Sequence, residues 1–241
     1  MHLDSPDALD SPDVPDLASL AALLADRTRA AFCLALLDGR AWTPTELARL
    51  AGVAPSTATS HLHQLVAGGL LAEERRGRHR YVRLAGPDTA EMIESLAAHA
   101  PRRRTPVRSL TDARRRKALA YARTCYDHLA GTLGVALTDA MTAQGFLTWD
   151  YGPALTTSGA AWLSGLGIAD TRPGTAHRAH VRVCLDWTEQ RQHLAGAVAA
   201  ALLRHALDAS WLVREERTRL ITVTPEGREA LRRHLPQLVL D

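Results

Sequence analysis

Between residues 43 and 71 the chain carries two short helical patterns around a glycine break, and this spacing limits what its first third can fold into. Thr43 stands before Pro44 and three residues ahead of Glu46, the arrangement of a capping box with proline in the first turn. The helix it opens runs through Leu47, Ala48 and Leu50 and breaks at Gly52. Ala54-Pro55-Ser56 starts a second helix, expected over residues 54–71 with its end near Gly68-Gly69. Residues 70–75 and 79–84 then read as two strands around Arg76-Gly77-Arg78. Upstream, Leu17, Leu20, Leu23 and Leu24, and after a break Ala31, Leu34, Ala35 and Leu37, recur at helical spacing until Asp38-Gly39.

Helices followed by a basic hairpin make the order of a winged helix-turn-helix. On a helical wheel Ala58, Leu62 and Leu65 share one face of the second helix, with Val66 beside them. Ser56, Thr59, Ser60 and His63 cluster opposite, flanked by Thr57 and Gln64, while His61 falls towards the flank. The apolar face has to pack, so the polar one is presented outward. Short hydroxyls approach phosphates and base edges closely, and Gln can bond adenine through two hydrogen bonds. A merely solvated helix more often carries Glu and Lys, and this face has neither. The hairpin adds Arg75, Arg76, Arg78 and Arg80 with His79 around Gly77, charges suited to a phosphate backbone or a minor groove. Alone, such a hairpin is an ordinary charged surface loop; directly after this helix it reads as a DNA-contacting wing.

The run Thr45-Glu46-Leu47-Ala48, then Ser56-Thr57-Ala58-Thr59-Ser60-His61-Leu62-His63-Gln64-Leu65, then Gly69-Leu70-Leu71 resembles the ArsR/SmtB regulators. The wing Arg75-Arg76-Gly77-Arg78-His79-Arg80-Tyr81 is also similar to theirs. The resemblance covers residues 17–100 and implies a homodimer joined through terminal helices that represses transcription until an inducer binds. Two departures stand out. Metal-sensing members carry a Cys-x-Cys pair on the helix before the recognition helix, whereas residues 46–50 hold no cysteine. Typical members are also much shorter, so residues 105–241 are an addition whose ligand the fold does not supply.

The expected organisation is an acidic disordered tail (1–16), the winged helix-turn-helix (17–100), a basic linker (101–112) and a helical sensor or dimerisation domain (113–241). The fold class is mainly α with small β-hairpins, the C-terminal domain having room for a second, degenerate winged helix. That last idea rests on an echo. Residues 70–88 and 211–228 both read strand, charged turn, strand, proline turn, and Thr224-Pro225-Glu226-Gly227 opens a final helix. Helices are also expected at residues 90–98, at 113–141 with interruptions near Gly131 and Gly134, and at 188–207.

Cys125 and His128 stand three residues apart and meet on one face if their segment is helical. Cys184-Leu185-Asp186-Trp187 has a similar shape, with His193 further on. Cys125, His128, Cys184 and His193, with Trp187 beside them, suit a zinc, copper or iron site, a redox pair, or the wall of a small-molecule pocket completed by Trp149, Tyr151 and Trp162. They equally suit a packed core, since cysteine is among the most buried residue types. His177 and His180 have ligand-compatible spacing to Cys184 but lie in a loop and read as solvated. Cys33, in Ala31-Phe32-Cys33-Leu34, reads as core.

Five aspartates in residues 1–16 hold the net charge to +3 and leave the rest at +8, which suits a polyanionic partner such as double-stranded DNA. Three scattered cysteines argue against a disulfide framework. No apolar run reaches the roughly 18–20 residues of a membrane span, and the acidic start does not resemble a signal peptide. No membrane partner is expected, and the cytoplasm is the expected location. Catalysis is not expected: there is no G-x-S-x-G, H-E-x-x-H or P-loop, and no glycine-rich strand-to-helix loop follows Pro101. The alternatives are a winged protein-interaction module and the dimerisation part of a small-molecule methyltransferase.

Overall fold

The computed structural model describes residues 15–101, 109–168 and 179–240. Most of the acidic tail, residues 102–108 of the linker and His177 lie outside the described residues. The chain divides into two compact units, one of residues 1–36 and 41–85, the other of residues 37–40 and 86–241. The division after Ala85 differs from the expected domain end at residue 100.

The first unit runs α1 (Leu17–Ala25), α2 (Arg27–Leu36), α3 (Pro44–Ala51), α4 (Pro55–Ala67), β1 (Leu71–Arg76) and β2 (His79–Leu84). The capping box forms: the Glu46 amide donates to Thr43 Oγ1 and the Thr43 amide to Glu46 Oε2. At α2, Asp26 Oδ1 accepts from the Thr28 and Arg29 amides. β1 and β2 pair antiparallel from Leu71 opposite Leu84 to Arg76 opposite His79, and Trp42 adds a bridge to Val82. Phe32, Cys33, Leu36, Leu47, Ala58, Leu62, Leu65 and Val82 form the core, each at most 1% exposed. Burial of Cys33 pushes its thiol up to about 11, so it is a small hydrophobe, as its sequence context indicates.

The second unit contains α5 (Pro87–His99), α6 (Leu110–Tyr121), β3 (Arg123–Cys125), β4 (His128–Ala130), α7 (Thr132–Ala143), β5 (Leu147–Thr148), β6 (Ala154–Leu155), α8 (Thr157–Gly165), β7 (Arg182–Leu185), β8 (Gln192–Ala195), α9 (Ala197–Asp208), β9 (Leu212–Arg214), β10 (Ile221–Val223) and α10 (Pro225–His234). From β3 onward it is one pattern written twice: hairpin, helix of 12 residues, short hairpin, helix. The sequence repeats at the first junction, where His128-Leu129-Ala130-Gly131 matches His193-Leu194-Ala195-Gly196. Gly131 has φ 86° and ψ −170°, and Gly196 has φ 90° and ψ −167°, a conformation that an L side chain does not tolerate. The second junction repeats too. Thr156 and Thr224 each donate a backbone bond of 3.0 Å, to the Phe146 and Trp211 carbonyls, and each hydroxyl caps the next helix.

The expected echo at residues 211–228 is therefore present as β9–β10 leading into α10, with a third example at residues 146–158. Two helical expectations are corrected. Residues 122–131 are the β3–β4 hairpin, because Tyr126 at φ 56° turns the chain before a second helical turn can form. The helix expected from Thr188 begins only at Ala197, after β8 and the turn at Gly196. α4 also ends at Ala67, earlier than expected, and Leu71 opens β1.

Candidate functional site

In the first unit, α4 sorts its residues as its wheel requires. Ala58, Leu62 and Leu65 are buried; Ser56, Thr57, Ser60, His63 and Gln64 are exposed. Thr59 is half-buried and its hydroxyl donates back to the Pro55 carbonyl at 2.9 Å. Gln64 Oε1 accepts from Arg29, whose guanidinium also donates to the Leu23 and Ala22 carbonyls at the end of α1. Arg80 pairs with Glu73 and lies 3.3 Å from the His63 ring. Arg76 pairs with Glu74 at 2.7 Å and covers the Tyr81 ring. Arg75 and Arg78 have no ion pair among the described residues. The outward surface is thus hydroxyls and an imidazole on α4 beside two unneutralised arginines on the wing.

In the second unit the two long hairpins bring four predicted residues together. Cys125 stands directly opposite His128 across β3–β4, and Cys184 directly opposite His193 across β7–β8. One potential ligand atom from each lies within 4.8 Å of all the others. The sulfurs are 3.9 Å apart and the two Nε2 atoms 3.1 Å apart. Cys125, His128 and His193 are at most 1% exposed, while Cys184 is half-buried. Each ring turns its Nδ1 towards a carboxylate, His128 to Asp127 at 3.6 Å and His193 to Asp186 at 3.7 Å. The hydrogen bond to Cys184, reinforced by burial, raises the Cys125 thiol well above its ordinary value, and the same bond lowers Cys184. Burial opposes protonation of His128, but bonds to Asp127 and Cys125 outweigh it and raise its pKa.

Beside this cluster runs a buried ionic network. Glu94 on α5 is 2% exposed and accepts from Arg123 at 3.1 Å and Arg219 at 2.8 Å. Arg123 also donates to Asp186 at 2.9 Å, and Asp186 accepts from the Gly131 amide at 2.7 Å. Burial works against ionisation of Glu94, yet Arg219 and Arg123 hold its carboxyl below the usual value. In Asp186 burial is likewise outweighed, by Arg123, Thr188 and the Gly131 amide.

Trp187 belongs to this network and not to the four ligand atoms: its Nε1 donates to Glu94 at 3.0 Å and its ring lies 5.3 Å from the Arg123 guanidinium. The expected aromatic pocket is corrected as well. Trp162 lines an apolar cleft with Trp211, Leu133, Leu137 and Leu202, but Trp149 lines a different one and Tyr151 is fully exposed. Their separation follows from Gly152 and the short β5–β6 hairpin, which carries Trp149 and Tyr151 outward. His180 is half-buried outside the cluster. Cys125 and His128 do meet, though across a hairpin and not on a helix. The sequence signal that relates the two histidines is the repeated His-Leu-Ala-Gly.

Residues 24–74 match the family model described as "Helix-turn-helix domain". Over 215 residues the chain is 43% identical to the uncharacterized HTH-type transcriptional regulator YdfF of Bacillus subtilis (strain 168), spanning 89% of this chain and 94% of that protein. Among solved structures it is similar to the cadmium metal-sensor CmtR from Mycobacterium tuberculosis, at 32% identity over 39% of this chain and 98% of the other, with a TM-score of 0.31. It is also similar to the homodimeric winged helix-turn-helix DNA-binding domain Mb0332 from Mycobacterium bovis, a possible ArsR-family regulator, at 23% identity over 44% and 97%, with a TM-score of 0.33. No helix among the described residues is long and apolar enough to cross a membrane.

Proposed function

The chain belongs to the HTH-type transcriptional regulators, and from that premise we propose that it is a ligand-responsive repressor with an ArsR-like winged helix-turn-helix, binding a pseudo-palindromic operator as a homodimer. The observation that carries the DNA reading is the exposed face of α4, where Ser56, Thr57, Ser60 and His63 stand free of acidic neighbours on their own helix. In this reading α4 enters the major groove. Thr59 and Gln64 contribute less to base contacts than their positions indicate, because their side chains are already engaged. Arg75 and Arg78 hold flanking phosphates, with Arg76 and Arg80 contributing once freed from Glu74 and Glu73.

Dimerisation is supported by α1, whose sequence Leu-Ala-Ser-Leu-Ala-Ala-Leu-Leu-Ala has one polar residue and no buried one. Such a helix is stable in water only when its apolar stripe is covered. A partner's α1 is the occupant a two-fold regulator supplies. The second unit is the effector domain of this scheme.

A reporter driven by the DNA upstream of the chain's own coding sequence tests the repressor reading. Deletion of the gene should raise expression, and restoring the wild-type chain, but not a Ser60→Glu form, should lower it again. Expression that falls on deletion would make the protein an activator. No change in either direction would count against regulation at that site.

A further inference from the structure

A tetrahedral ion with metal–sulfur bonds of ~2.3 Å and metal–nitrogen bonds of ~2.0–2.1 Å needs sulfur–sulfur and nitrogen–nitrogen edges of roughly 3.8 and 3.4 Å. The Cys125–Cys184 and His128–His193 separations of 3.9 and 3.1 Å lie within a few tenths of an ångström of those edges. We propose that Cys125, His128, Cys184 and His193 form a closed tetrahedral site for a divalent cation of the zinc class, clasping the two repeats of the second unit together.

Two features favour this occupant over an ordinary core. Both imidazoles point Nε2 inward and leave Nδ1, buried and without another hydrogen-bond partner, facing a carboxylate. That is how a carboxylate orients a metal-bound histidine and raises its basicity. The arrangement is also duplicated. Each hairpin supplies one Cys and one His across the ladder, and in each the Asp stands two residues after the Cys.

Charge selects the ion. Binding M²⁺ to the two thiols and two neutral imidazoles releases the two thiol protons and leaves a neutral centre, with no electron transferred. A neutral centre fits a pocket where three of the four residues are at most 1% exposed, whereas a monovalent ion would leave one buried negative charge uncompensated. Mixed thiolate and imidazole donors suit zinc, and Mg²⁺ or Ca²⁺ would require oxygen. Finally, four protein ligands leave no open position. The site is therefore structural or sensory and not a Lewis-acid catalyst. Its influence extends outward through Asp186, which joins His193 to Arg123 and hence to Glu94 on α5. The proposal stands on this geometry alone and is independent of where the first unit binds.

The test uses the full chain purified under reducing, chelator-free conditions, with elemental analysis of the protein as isolated. One zinc per chain is expected. Exchange with Co²⁺ should give one equivalent of tetrahedral cobalt with thiolate-to-metal charge transfer, reduced to about half by Cys184→Ser. Asp127→Asn, which keeps the shape of the side chain but removes the carboxylate facing His128, should weaken Zn²⁺ affinity about 10–100-fold in a competition titration while circular dichroism stays unchanged. Folded protein isolated without metal and giving no tetrahedral cobalt spectrum would overturn the proposal. So would a Cys125–Cys184 disulfide recovered in place of the ion.

Discussion

His128 and His193, 65 residues apart in sequence, point their Nε2 atoms at each other across 3.1 Å in the interior of the second unit. Each is the first residue of a His-Leu-Ala-Gly run and each stands opposite a cysteine in its hairpin. Their meeting is therefore a consequence of duplication: one hairpin–helix junction used twice, with equivalent side chains facing inward. The two glycines that end these runs fix where each hairpin hands over to its helix.

Substitution at either glycine should consequently disturb the centre without touching a ligand. A Cβ at position 131 would lie 2.5 Å from the Ala120 carbonyl oxygen, and one at 196 would lie 2.8 Å from that of Ala179. With φ at +86° and +90°, Gly131→Ala and Gly196→Ala should each cost more than about 1 kcal/mol. Urea denaturation should show the loss, and metal retained per chain should fall with it.

Glu94 is the only carboxylate bonded to both Arg123 and Arg219 among the described residues. Removing its charge leaves the buried Arg219 guanidinium without an ion pair among the described residues, while Arg123 keeps Asp186, so Glu94→Gln should destabilise the second unit by about 3–5 kcal/mol. Thermal unfolding followed by tryptophan fluorescence reads this directly, since Trp187 bonds to the same carboxylate. A change under 1 kcal/mol would mean that the arginines find other partners.

The wing arginines should separate by their intramolecular partners. Arg75→Ala and Arg78→Ala should each reduce the slope of log K against log salt by about 1, the loss of one phosphate contact. Arg76→Ala should reduce it less, because Glu74 already neutralises that side chain. Anisotropy titrations on a labelled operator at several salt concentrations measure all three.

At the start of α2, hydrogen bonding from the Arg29 amide lowers the Asp26 pKa despite the opposing effect of burial. A depressed carboxyl pKa contributes stability above the unfolded value of ~3.9 and loses it as pH falls through the folded value. Asp26→Ala should thus destabilise the first unit by about 1 kcal/mol at neutral pH, with the gap to wild type closing in acid. Denaturation curves at pH 7 and pH 3 check the sign.

The first unit was largely legible because its signals are local. Thr43 and Glu46 form a capping box within four residues, and the α4 face follows from helical periodicity alone. What periodicity cannot show is that Arg29 occupies Gln64 or that Glu73 and Glu74 hold two wing arginines. In the second unit, alanine and leucine around residues 113–141 and 188–207 favour helix by propensity. The hairpins there are set instead by single turns at Tyr126 and by the glycines at 131 and 196, and by pairing that becomes favourable only in the tertiary fold. Cys125 and His128 therefore meet across a hairpin and not along the helix that their spacing suggests, with Cys184 and His193 beside them. The Glu94–Arg123–Arg219 network, spanning 125 residues, has no local signature at all.

The most direct measurement is a footprint of the full chain on the DNA upstream of its own coding sequence. Protection of two half-sites spaced by about one helical turn, roughly 10 bp, is expected at ~50 mM salt, weakening steeply as salt rises. Ser56→Ala with Ser60→Ala should lose the pattern while retaining weak, sequence-independent binding. A folded wild-type chain that protects no DNA under these conditions would contradict the assignment of α4 as the DNA-reading helix.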